Sequence, residues 1–233
     1  NQRIAEYSVD QTSLDLMAGV NVGLWGPVSV GWAERYRSAE VATGSPMLPA
    51  GSEHFGGFLA KLDFDQFDRL YDPTHGWAAH GSYFYAAGDG YDKADLDLRV
   101  ADNFGDYIVH GRIRGAGSFT GSLPFYDPVA LGGFLNLSGF ARNQIVGESL
   151  MYGNVRLEKI VGRLPAGLRG DMRVGLALEG GKVDGRYTET NLNGWQSSVT
   201  AYVGGETPLG MVYLGYGYAP NGMGNFYLFI GQP

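Results

Sequence analysis

The chain has 233 residues, 38 of them glycine and none cysteine, with 13% aromatic residues and a formal net charge of −7. The missing cysteines exclude disulfide stapling, thiolate catalysis and cysteine metal sites, and the acidic balance argues against a nucleic-acid surface. No apolar run of about 20 residues reads as a membrane helix, and no signal-peptide pattern is visible, which reads as a cytosolic or an already processed chain.

Alternation with a period of two dominates the chain. Leu14, Leu16, Ala18, Val20 and Val22 alternate with Asp15, Met17, Gly19 and Asn21. Phe58, Ala60, Leu62 and Phe64 alternate with Lys61 and Asp63. Ala94, Leu96, Leu98 and Val100 alternate with Asp95, Asp97 and Arg99. Val109 and Ile113 alternate with His110, Arg112 and Arg114, and Met172, Val174, Leu176 and Leu178 with Arg173, Gly175, Ala177 and Glu179. Such a period means β-strands with one apolar face.

About eleven strands are predicted, near 12–23, 27–42, 53–67, 76–88, 92–103, 106–120, 144–161, 169–183, 194–205, 210–219 and 225–232. Residues 3–9 read as a twelfth or as an extension of the first. These strands are long: a membrane-spanning strand needs roughly 9–11 residues, whereas globular strands average roughly 5–6. Turns at 24–27, 103–106, 164–167 and 207–210 are short. Connections at 43–52, 121–143, 183–194 and 219–224 are mostly longer. Short turns on one side and long loops on the other suit an outer-membrane barrel. Trp25, Trp32, Trp77 and Trp195 fall near strand ends, where an aromatic girdle would sit.

The polar face then becomes a hydrated lumen. Asp15, Arg35, Lys61, Asp63, Asp95, Asp97, Arg99, Arg112, Arg114, Arg156, Glu158 and Arg173 are placed there, with Asp65, His110 and Glu179 among them. Buried charges of both signs need partners or water. The spaced pairs Asp63/Asp65 and Asp95/Asp97 would suit a glycosidase, but interleaved basic residues favour a lumen wall. No Gly-x-Ser-x-Gly elbow occurs. The four histidines, His54, His75, His80 and His110, lack ligand spacing along the chain. Glycines on the late strands read as relief of curvature or room for a loop to approach.

One stretch departs from this pattern: LGGFLNLSGF, residues 131–140, an uncharged, glycine-rich loop segment. Followed by ARNQIVGESL, it resembles the C-terminal barrel of the bacterial surface antigen superfamily, which includes outer-membrane insertases and two-partner secretion pores. The resemblance is closest to barrels attached to patatin-like phospholipases, a type V secretion arrangement. DFDQFDRLYDPTHGW (63–77) is similar to the family's periplasmic turn, LALEGGKV (176–183) to its post-loop strand, and MVYLGYGYAPNGMGNFYLFIGQP to its closing hairpin.

The resemblance implies one domain over 1–233, all-β, a transmembrane antiparallel β-barrel with about 11–12 strands here. That would be the C-terminal part of a family barrel of about sixteen. It implies an inward-folding loop at about 121–143, in the outer membrane of a Gram-negative bacterium. The family tip is arginine-glycine-aromatic; here Ser138, Gly139 and Phe140 follow Leu137, so the arginine is missing. Glu179 and Gly181 are the implied wall partners, with two anchors open: Ser138, by a hydrogen bond to Glu179, or Arg142, two residues beyond Phe140, as a substitute for the arginine. Phe140 is expected to pack near Gly181.

The implied function is a translocator and anchor, non-catalytic in this chain and without cofactor or metal. The implied partners are outer-membrane lipid, an N-terminal patatin-like passenger, the barrel assembly machinery during biogenesis, and a second copy in a homodimer. The alternative is a passive channel or structural protein with no passenger.

Overall fold

The computed structural model describes residues 6–43, 51–70, 72–88, 91–163, 170–185, 192, 194–207, 210–222 and 224–231. The expected turn at 164–167, the middle of that at 207–210, and most of the expected connections at 43–52 and 183–194 lie outside them.

Eleven strands form one antiparallel sheet in chain order. They are β1 (Glu6–Val22), β2 (Gly26–Thr43), β3 (Gly51–Asp65), β4 (Gly76–Ala86), β5 (Asp92–Phe104), β6 (Tyr107–Gly117), β9 (Ser149–Arg163), β10 (Asp171–Asp184), β11 (Gln196–Thr207), β12 (Gly210–Tyr218) and β13 (Asn225–Ile230). Two three-residue strands, β7 (Val129–Leu131) and β8 (Ile145–Gly147), pair only with each other.

One expectation is resolved and two are corrected here. Of the two readings of residues 3–9, the extension of the first strand holds over 6–9. The strand expected from 144 starts at Ser149, because Ile145–Gly147 belongs to the β7–β8 pair inside the long loop. Trp32 is no strand-end residue: it sits within β2, opposite Leu16 and Phe58.

The alternation becomes a sheet turned inside out. Leu14, Leu16, Val30, Phe58, Ile113, Val155, Leu176, Leu178, Leu214 and Leu228 are exposed, while Asp97, His110, Glu158, Arg173, Glu179 and Thr200 are buried. Exposed apolar area this extensive needs an apolar surrounding, and outward apolar bands are the mark of membrane barrels. Among the described residues no helix is long and apolar enough to cross a membrane. Trp25, Phe64 and Trp77 cluster edge to face at the short-turn end, with centroids 5.9–6.5 Å apart. Further along β2, the Trp32 indole donates to outward Glu34 at 2.6 Å, where the apolar band on this strand stops.

The buried face wraps around the connection between β6 and β9. Arg37 on β2 and Lys93 on β5 both pair with Asp127 of that connection. Phe134, from the same connection, lies 5.5–5.7 Å from the rings of Tyr202, Tyr213, Tyr227 and Phe229 on β11, β12 and β13. One loop touching strands from β2 to β13 requires a strongly curved sheet with the loop on its concave side.

Candidate functional site

The loop is tied down in three steps. At its start, Asp92 accepts from Ser118 Oγ at 2.7 Å and from the Phe119 and Thr120 backbone N–H groups. Next, the fully buried Asp127 meets Arg37 and Lys93, and the Tyr91 hydroxyl donates to it at 3.2 Å. Burial, reinforced by the charge of Asp127, pushes the Tyr91 hydroxyl up, so it stays a donor. Finally the short β7–β8 pair delivers the tip.

The tip, residues 131–140, is compact and buried, with Asn136 half-buried. Phe134, Leu135, Leu137, Ser138 and Phe140 are all buried. Leu135 and Leu137 adopt positive φ, at 50° and 76°, a strained conformation for leucine that their surroundings hold in place. The Leu135 N–H donates to Ser138 Oγ at 2.8 Å.

Glu179 on β10 is the hub. Its carboxylate accepts from the Leu137 N–H at 2.6 Å, the Ser138 N–H at 3.2 Å, Ser138 Oγ at 2.7 Å and Thr200 Oγ1 at 2.5 Å. The Tyr152 hydroxyl lies 3.0 Å from Glu179 and 2.7 Å from the Leu135 carbonyl, and accepts from Asn154 at 2.8 Å. The Ser138 carbonyl in turn accepts from Asn225 and Tyr227 near the other end of the sheet. Backbone and hydroxyl donors thus meet a carboxylate without any arginine.

Close backbone approach explains several glycines. A Cβ at Gly217 would stand 2.4 Å from the Ser138 Cβ, one at Gly139 2.2 Å from the Ala219 Cβ, and one at Gly215 2.9 Å from the Phe134 ring.

Two expected partners fall elsewhere. Arg142 is exposed and packs its stem beside Gly133, so it does not replace the missing arginine. Gly181 faces Leu131, whose Cδ1 would lie 2.8 Å from an added Cβ; Phe140 is not among its nearest neighbours.

The other lumen charges sit in a paired network. Lys61 meets Asp15 at 2.8 Å, His80 meets Asp63 at 2.6 Å, and Arg114 meets Asp95 at 2.7 Å. Asp97 lies between Arg99 at 2.9 Å and Arg112 at 2.7 Å. Arg35 stacks over Phe84 at 4.0 Å. Asp95 and Asp97 are each tied to a guanidinium, which suits a wall rather than a carboxylate pair facing a substrate.

Glu158 accepts from Tyr202 at 2.6 Å and from Arg173 at 3.2 Å, with Arg156 at 3.7 Å. Arg173 also reaches Asp72 at 2.8 Å. Asp72 lies in the β3–β4 connection, so that turn enters the same interior. Burial, then the like charge of Glu158, push its carboxyl up, while Arg173 and Arg156 pull it back.

Asp72, His110 and Glu158 also place one ligand atom each within 4.8 Å of one another, a grouping that spacing along the chain did not reveal. The geometry does not suit a metal ion. Arg156 donates to His110 Nδ1 at 3.2 Å, which leaves the ring proton on Nε2, facing Glu158 at 3.4 Å. Arg173 bridges the two carboxylates, so their charge is already met.

This architecture can be set beside known structures. One match is the crystal structure of BamA from Haemophilus ducreyi lacking POTRA domains 1-3, with a TM-score of 0.74 at 11% identity. This chain has the fold of the matched part of that structure. The match covers 96% of this chain and 53% of that one. At such identity the likeness is one of fold. No protein-family model matches the chain, and no curated protein does.

Sequence reasoning missed Phe134, Asp127 and Asp72. Inward aromatics on three successive strands, Tyr202, Tyr213 and Tyr227, were the available sign of an aromatic socket. Nothing local marked the two aspartates.

Proposed function

We propose that the chain is an outer-membrane β-barrel segment of the bacterial surface antigen superfamily. Its role is to anchor and translocate a patatin-like passenger by type V secretion, and it carries no chemistry itself. The observation that carries this reading is the loop seated on Glu179 inside a sheet whose outer face is apolar. The loop and turn motifs add the superfamily, and their similarity to patatin-linked barrels suggests the passenger. A passive channel would need an open lumen, and the buried tip counts against it.

The test uses the complete gene product in cells. Fractionation should recover it from the outer membrane, and external protease should release a passenger bearing a serine elbow. A product without a passenger, conducting freely in a planar bilayer, would replace this reading with the channel.

A further inference from the structure

The β3–β4 connection, residues 66–75, belongs to the end of the sheet opposite the long loop. The other connections described at that end are short: 23–25 and 105–106. This one is ten residues long by its flanking strands and does not simply hang outside. Its base is closed by Asp68, which accepts from the Thr74 N–H at 2.8 Å, the Thr74 hydroxyl at 2.5 Å and the His75 N–H at 3.0 Å. Gln66 N–H donates to the Trp77 carbonyl at 2.8 Å. The tip carries Asp72 inward at a positive φ of 50°, and Asp72 is 7% exposed.

There it meets Arg173, itself 2% exposed, across the interior from β3 and β4. The turn and the long loop then face each other. A cavity of about 80 Å³ is lined by Leu70 and Asp72 from the turn, Leu135 from the loop tip, and His110, Arg112 and Asn154 from the wall. Asp72 Oδ1, His110 Nε2 and Arg173 Nε are buried without a hydrogen-bond partner. Asp72 and His110, which line this cavity, give it polar atoms fit to hold water.

We propose that the β3–β4 turn is a second plug, latched by Asp72 on Arg173, so that the lumen is barred from both ends. Opening a passage therefore takes two releases, one at Glu179 and one at Arg173. The inference rests on the barrel reading of the proposed function. It concerns a segment that the loop anchor does not touch.

The test uses Asp72→Gly, which removes the carboxylate and keeps the positive φ at no steric cost. In full-length protein reconstituted in vesicles, hydrogen exchange of the peptide over 66–75 should rise about tenfold, as expected for loss of a charge-assisted anchor. Exchange over 131–140 should not change. In a planar bilayer, Glu179→Ala alone and Asp72→Gly alone should conduct little more than the parent, and the double variant at least several-fold more than either. Unchanged exchange at 66–75, or a Glu179→Ala variant that already conducts like the double, would overturn the latch and leave the barrel reading standing. A parent protein that never inserts into the bilayer would overturn both.

Discussion

Ser138 Oγ and Glu179 Oε1 lie 2.7 Å apart, joining a loop tip to a strand 41 positions away. The same carboxylate holds the backbone N–H groups of Leu137 and Ser138. A serine can therefore stand at the tip, because the peptide itself supplies two further donors. Glu179→Ala would leave those donors buried and unmet, at about 1–3 kcal/mol each. We expect rapid protease cleavage near Phe134 in that variant and slow cleavage in the parent. Arg142→Ala should stay within about 0.5 kcal/mol of the parent, as an exposed side chain outside this network. Equal cleavage of the Glu179→Ala and Arg142→Ala variants would remove Glu179 as the anchor.

Gly217 gives an independent test of the seat. An added Cβ would meet the Ser138 Cβ at 2.4 Å and the Ser138 carbonyl oxygen at 2.5 Å. Both belong to backbone or near-backbone atoms that cannot swing aside. Gly217→Ala should cost about 1–3 kcal/mol through overpacking. Gly153→Ala, where the nearest atom is 3.6 Å away, serves as the control and should cost much less of this kind. Urea midpoints of the two folded variants compare them directly.

The outer face makes its own prediction. Val174 is exposed on β10, between inward Arg173 and Gly175. Val174→Arg should destabilise by about 2–4 kcal/mol if the site is near the bilayer midplane. Spin labels at Leu16, Leu98 and Leu214 should report lipid contact. Water contact at all three would sink the membrane assignment for this face.

The sequence is most legible where it is periodic. Leu176 and Leu178 against Ala177 and Glu179 fix face and strand at once, because a one-residue slip would invert every side chain. The eleven strands were legible for that reason, and so was the pairing of loop tip with Glu179, through the order of residues in a family motif. Of the two anchors that the sequence left open, Ser138 rather than Arg142 meets Glu179, and the tip is held besides by backbone N–H groups that no side-chain pattern advertises. Asp127 and Asp72 lie in aperiodic connections, and their partners Arg37, Lys93 and Arg173 are distant in sequence. Only the curvature of the sheet brings them together.

The β3–β4 turn should respond to acid through Asp68. Burial acts to raise its carboxyl, but the Thr74 hydroxyl and the His75 and Thr74 N–H groups outweigh it and hold it at about 2, below its ordinary 3.8. A depressed folded-state value means that the released turn binds the proton first as pH falls. The stabilisation is therefore complete above the ordinary value and is lost as the pH drops from there through about 2. Trp77, whose carbonyl accepts from Gln66, is placed to report the turn by fluorescence. We expect a transition below about pH 4 in the parent. Thr74→Ala should move it upward, because one of the bonds that depress Asp68 is gone. Asp68→Asn should remove it. A transition that persists unchanged in Asp68→Asn would assign the acid response to another carboxylate.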